Sequence, residues 1–176
     1  DPYSSGAVNA IRMFEDTFKY TDSRIGKILY KTEVAVKDRE MKEDLEKELD
    51  RAKRSKSNLA LTLIELSAIG EEQELDDDEV LRTAGNIIAE TARSYDITYR
   101  FKGDIFGVLM PHCPEEGAKN TAQRILEKLK AEITIAKPSI GISTSQNAFT
   151  GRDILRLAER ALYVAQHRGG DAIVIG

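Results

Sequence analysis

The chain has no tryptophan, a single cysteine, four prolines and two histidines in 176 residues. The lone thiol, Cys113, cannot close an internal disulfide, so the fold rests on non-covalent packing and a reducing compartment is the expected setting. His112 and His167 lack partners at metal-ligand spacing and read as surface residues, and no metal site is assigned. No apolar run approaches the roughly 20 residues of a membrane-spanning helix, so no membrane contact is expected from this segment. The start, Asp1-Pro2-Tyr3-Ser4-Ser5-Gly6, shows neither the basic nor the apolar stretch of a signal peptide, and a cytoplasmic location is the expectation. An excess of positive charge is missing too, since 26 basic against 30 acidic residues leave a net charge of -4. A general DNA or RNA binder needs many cations to neutralise phosphates, so that class is set aside, while local basic clusters can still hold a small anionic ligand. What is present, 41% hydrophobic and 32% charged residues, describes a soluble chain long enough for one domain with a real core and a modest extension.

The first fifty residues differ from the rest. Ile11, Phe14, Phe18, Thr21, Ile25, Ile28, Thr32 and Ala35 recur at spacings of three and four, one seam of a helix that suits a coiled coil. Gly26 and the capping pair Asp22-Ser23 equally allow one helix to close and another to open. Met41, Leu45, Leu49 and Ala52 then mark an apolar stripe on a strongly charged helix, whose Glu and Lys neighbours favour that conformation. The expected organisation is a helical stalk over residues 1–50 leading into a domain over residues 51–176. Packing of the first forty residues on the domain is the alternative.

From Asn58 the segments alternate in type. Leu59 to Leu66 is a short apolar run suited to a buried strand, and Asp77 to Arg93 carries a helical pattern through Val80, Leu81, Ala84, Ile87 and Ile88. Ile97 to Phe101 and Ile105 to Met110 are strand-like runs separated by Lys102-Gly103-Asp104, which predicts a tight hairpin, with Pro111 as the stop. Ala118 to Leu129 reads as helix, Ser139 to Ser143 as strand, Ile154 to Gln166 as helix and Ala172 to Ile175 as strand. The order predicts an α/β (α+β) sandwich, a mostly antiparallel central sheet flanked by helices, with an N-terminal helical extension.

The run Arg100-Phe101-Lys102-Gly103-Asp104-Ile105-Phe106-Gly107-Val108-Leu109-Met110-Pro111 resembles the signature hairpin of GGDEF domains, the diguanylate cyclases, with Lys102 and Ile105 as departures. Upstream, RAKR and LALTLIEL resemble the family's leading helix and first strand; downstream, SIGIS and LAERALYVAQHRGGDAIVI resemble its later strand, final helix and last strand. The resemblance runs from Arg51 to the end and implies the nucleotidyl-cyclase palm fold.

It also implies where catalysis would sit. Joining two GTP molecules requires divalent metal, which takes oxygen ligands from carboxylates. Glu65 matches the family's carboxylate on the first strand, but Ile105 replaces the hairpin carboxylate and Lys102 the first signature glycine. The segment between Ile69 and Leu81 is shorter than the family's and lacks the asparagine that reads guanine, and Gln166 and Gly170 stand where cyclases place a lysine and an arginine against phosphate. The departures imply no catalytic residues, no metal and no cofactor. The acidic run Glu71 to Glu79 fails the EF-hand spacing and reads as solvated loop or helix start.

A second family site is matched. Arg93-Ser94-Tyr95-Asp96 resembles the Arg-x-x-Asp inhibitory motif and lies at the family's offset before the hairpin; Arg124 matches the second arginine of that site, and Arg51 the position that reaches the ligand on a neighbouring copy. Arginine can donate two parallel hydrogen bonds to guanine O6 and N7, aspartate can accept from the opposite edge, and further arginines suit phosphate. Read without the resemblance, Arg93 and Asp96 would be an ordinary surface ion pair and Arg51 and Arg124 solvated helix residues. With it, the expectation is a non-catalytic receptor that binds cyclic di-GMP through Arg93, Asp96, Arg124 and Arg51, as a homodimer or ligand-bridged dimer, and signals to a downstream protein. A nucleotide-independent dimerisation or docking scaffold is the alternative, and a residual enzyme built on Glu65 and Asp104 a third class.

Overall fold

In the computed structural model, residues 23–69, 78–101 and 104–176 are described, with side chains from residue 39 onward. The seam residues between Ile11 and Ala35, the acidic run from Glu71 to Asp77, and Lys102 with Gly103 therefore fall outside the described backbone or side chains. Helix α1 is Ser23–Ser55, followed by β1 Leu59–Ala68, α2 Asp78–Thr91, β2 Ile97–Phe101, β3 Ile105–Pro111, α3 Glu115–Glu132, β4 Ala136–Thr144, α4 Gly151–His167 and β5 Ala172–Ile175. The strands form one five-stranded sheet in the order β2-β3-β1-β4-β5. All pairings are antiparallel except β4 with β5, which is parallel. This is the mixed, mostly antiparallel sheet flanked by helices that the element order predicts.

Alternation along β1 divides the core. Ala60, Ile64 and Leu66 face one cluster, shared with α2 and α3 through Leu81, Ile88, Ile125 and Leu129. Leu59, Leu61 and Leu63 face the other, shared with α1 and α4 through Met41, Leu45, Leu49, Ile154 and Leu162. Each sheet face is thus covered by a helix pair, and period-two burial on the strand meets the apolar stripe of each helix.

Helix α1 is continuous through Asp50 and Arg51. Met41, Leu45 and Leu49 are at most 1% exposed, so this part of the helix belongs to the core of the sheet domain. The Tyr99 hydroxyl on β2 donates to Asp44 of α1, and burial, followed by that bond, pushes the Tyr99 pKa up. Helix α4 opens with a reciprocal cap: Thr150 Oγ1 accepts from the Asp153 amide at 3.1 Å, and Asp153 Oδ2 accepts from the Thr150 amide at 3.2 Å. It lies directly on Gly141, where a Cβ would come within 2.5 Å of the Ala158 carbonyl oxygen and against the Leu162 amide. Among the described residues no helix is long and apolar enough to cross a membrane.

Candidate functional site

The β2–β3 hairpin carries one candidate site at each end. At the open end, Asp96 ties together the loop that leads from α2 into β2. Its amide donates to the Arg93 carbonyl at 3.0 Å. Its carboxylate accepts from the Arg93 amide at 2.9 Å, from Nε at 3.2 Å and from Nη2 at 2.9 Å. The Asp96 side chain is 0% exposed and that of Arg93 26%, which sets the pair apart from a solvated surface bridge. Burial works against the Arg93 charge, yet the hydrogen bond and charge of Asp96 outweigh it and raise the Arg93 pKa.

Arg93 has two further partners. Nη2 donates to the carbonyl of Pro111, the last residue of β3, at 3.1 Å, and so clamps the loop to the second strand at the open end of the hairpin. Nη1 donates to the Tyr95 hydroxyl at 3.0 Å, and the guanidinium carbon lies 4.6 Å from the centre of the Tyr95 ring. Tyr95 was not among the residues that the motif singles out, although its place between Arg93 and Asp96 puts it within reach of both. Cys113 is buried just beyond Pro111, where burial pushes its thiol pKa up, Arg93 opposes the shift and Asp96 adds to it.

The other two arginines have separate partners. Arg124 is exposed on α3, its Nη2 donating to Thr121 of the same helix at 3.3 Å. Arg51 is exposed on α1 and pairs with Glu48 at 2.7 Å. It lines a groove of about 470 Å³ together with Arg54, Asn58, Pro111 and His112. Pro111 is common to that groove and to the Arg93 contacts, so Arg51 and Arg93 of one copy lie toward the same end of the sheet. The structure therefore joins Arg93 to Asp96 directly, relates Arg51 to them through Pro111, and leaves Arg124 on a neighbouring helix with its own hydrogen bond.

At the turn end of the hairpin stands Glu65. Its register partners are Ile105 on β3 and Ser139 on β4. The Gln166 side-chain amide, at the end of α4, donates to Glu65 Oε2. Burial raises the Glu65 pKa, the charge of Asp104 raises it further, and the Gln166 bond works the other way. Ile105 packs against the α1/α4 side of the core and presents no donor atom. Gly170 closes the turn after α4 with φ of +80°, a conformation costly for a residue with a Cβ, and a Cβ there would approach Lys137 at 3.0 Å. Among the described residues no three His, Cys, Asp or Glu side chains are grouped to hold a metal ion.

The family model described as "Diguanylate cyclase, GGDEF domain" matches residues 32–172. The "Probable diguanylate cyclase DgcT" of Escherichia coli K12 is 35% identical over 111 residues, which are 56% of this chain and 24% of that protein. "Diguanylate cyclase DosC" of the same strain is 25% identical over 142 residues, 72% of this chain and 30% of that one. The chain thus spans about a quarter to a third of the length of these relatives. Among solved structures, the GGDEF domain of YfiN from Pseudomonas aeruginosa superposes with a TM-score of 0.70 at 24% identity, covering 77% of this chain and 92% of that one. The GGDEF domain of DgcB from Caulobacter crescentus, solved in complex with c-di-GMP, gives 0.68 at 15% identity, covering 78% and 86%. With the family model spanning most of the chain and the fold shared with such domains, the chain belongs to the GGDEF family of diguanylate cyclase domains.

Proposed function

We propose that this domain is a non-catalytic receptor for cyclic di-GMP, binding the dinucleotide through Arg93, which the buried Asp96 holds in place, and Arg124, with Arg51 supplied by a neighbouring copy. The observation that carries the reading is the corner at the open end of the hairpin. A carboxylate with no exposed surface holds a guanidinium that still reaches the surface, within the motif that matches the family's inhibitory site. Such a pair presents a fixed arginine to guanine O6 and N7. DgcB, in complex with c-di-GMP, shows that a domain of this fold accepts the ligand.

The turn end supports the absence of cyclase activity. The family's reaction requires divalent metal, and among the described residues the carboxylates at hand are Glu65 and Asp104, with apolar Ile105 beside Glu65 in the register. The Gln166 amide engages one oxygen of Glu65, and two described carboxylates are fewer than the several hard oxygen ligands such a metal needs, so this donor set does not fit it. The protein is expected to yield no cyclic di-GMP from GTP with magnesium or manganese. Turnover above a no-enzyme control, lost with chelator and in Glu65→Ala, would overturn that part of the reading.

The receptor reading is tested by calorimetric titration with cyclic di-GMP. Removing the Arg93 contact to guanine should weaken binding by roughly ten- to hundredfold. Arg93→Lys is the preferred variant, because it keeps a cation beside the buried Asp96 while losing the planar fork. Arg51→Ala should matter only at concentrations where two copies share ligand. Wild-type binding that Arg93→Lys and Asp96→Asn leave intact would refute the residue assignment. A docking scaffold that binds no nucleotide is the second reading, favoured by one observation: the Arg93 guanidinium already satisfies Asp96, Pro111 and Tyr95 within its own chain.

A further inference from the structure

A guanidinium offers two edges for parallel hydrogen bonding, Nε with Nη2 and Nη1 with Nη2. In Arg93 the first edge is taken by the two carboxylate oxygens of Asp96. The second faces the Tyr95 hydroxyl through Nη1 and the Pro111 carbonyl through Nη2. On that second edge Nη2 is already shared between Asp96 and the Pro111 backbone, so Nη1 is the donor a guanine can recruit, since giving up the first edge would strand a carboxylate with no exposed surface. The Pro111 contact is fixed by the hairpin backbone. The Tyr95 contact is made by a side chain that is 48% exposed.

We infer that Tyr95 is an affinity-determining residue of this site: its hydroxyl occupies the Arg93 Nη1 group that reads the purine and must be displaced by the ligand. The inference rests on the receptor reading above and adds to it a residue outside the Arg-x-x-Asp pattern. Each binding event exchanges a hydrogen bond from a charged donor to Tyr95 for one to guanine, and the affinity is lower by the part of the Tyr95 contact that water does not replace. The ring, stacked on the guanidinium at 4.6 Å, keeps Arg93 oriented whether or not the hydroxyl is present. Tyr95→Phe separates the two contributions, because it removes the competing oxygen and retains the ring.

The test is a calorimetric titration of cyclic di-GMP into the full chain, wild type against Tyr95→Phe, with thermal unfolding of both as a folding control. Tyr95→Phe should bind about three- to tenfold more tightly, a gain that a merely structural role for the hydroxyl cannot produce. Binding that is measurable only in Tyr95→Phe would support the inference most strongly. Equal or weaker binding by Tyr95→Phe, with wild-type binding intact and sensitive to Arg93→Lys, would overturn the Tyr95 inference and leave the receptor site standing. No binding by either protein would overturn both. A second readout is independent of ligand: rotation of the Arg93 Nη1 group, measured by guanidinium NMR, should be faster in Tyr95→Phe, and equal rates would also count against the contact.

Discussion

The two ends of the β2–β3 hairpin hold charged residues under opposite conditions. At the open end Asp96 has no exposed surface, yet three N–H donors of Arg93 satisfy it. At the turn end Glu65 is half-buried, faces Ile105 across the register, feels the charge of Asp104 and has the Gln166 amide as its partner. Asp96 has a fitted cation against its carboxylate, whereas burial and the charge of Asp104 push Glu65 toward its neutral form against the Gln166 bond. The difference separates a corner built around an ion pair from one in which a half-buried carboxylate has a neutral amide as its partner.

The sharpest way to break this comparison is Arg93→Ala. It strands the buried Asp96 carboxylate, and the chain should lose about 3 kcal/mol in chemical denaturation. Arg93→Lys should lose clearly less. A loss below about 1 kcal/mol for Arg93→Ala would make the pair an ordinary surface bridge after all. Gly141→Ala comes next. Its methyl would drive α4 away from the sheet and carry Gln166 off Glu65, with an expected loss of about 2 kcal/mol. Unchanged stability would mean that α4 adjusts without cost.

Smaller effects are expected at the turn end. The folded-state pKa of Glu65 is raised, so the folded state binds its proton more tightly than the unfolded chain does. The stability this provides is complete below the unfolded pKa and is lost as pH rises through the folded value. Glu65→Gln should therefore flatten the decline in stability above about pH 4.5 and leave the protein slightly more stable at neutral pH. A variant less stable than wild type at pH 7 would show that the ionised carboxylate is better accommodated than its surroundings indicate. Gln166→Lys should have the smallest effect. A cation placed at Glu65 would lower the carboxylate pKa again, with a stability gain within about 1 kcal/mol, read as a shift in the acid limb of the same profile.

Several elements could be read directly because their burial follows a simple period. The strand Ala172–Ile175 and the hairpin strands fall where the apolar runs place them. Other boundaries were hidden. Helix α3 begins at Glu115, ahead of the predicted Ala118, because Glu115 and Glu116 favour a helix N-terminus by charge without adding to its apolar stripe. Strand β4 begins at Ala136, ahead of Ser139, since Lys137 and Pro138 look unlike a strand; the Pro138 carbonyl instead takes the Asp171 amide at 2.8 Å. Pro111, expected as a stop, is the final paired residue of β3, opposite Leu59.

By itself the sequence determined the order of strands and helices, the hairpin and the family, because periodicity and short motifs are local properties. It also marked Arg93 and Asp96 by their spacing. Only the tertiary structure decided that Asp96 is wholly buried, that Tyr95 and the Pro111 carbonyl close the outer edge of Arg93, and that Gln166 reaches Glu65 across 101 positions. Only it placed Met41, Leu45 and Leu49 in the core of the sheet domain. These are relations between residues distant in the chain or facing one another across a fold, and they come from packing two helix pairs on one sheet, which no local pattern encodes.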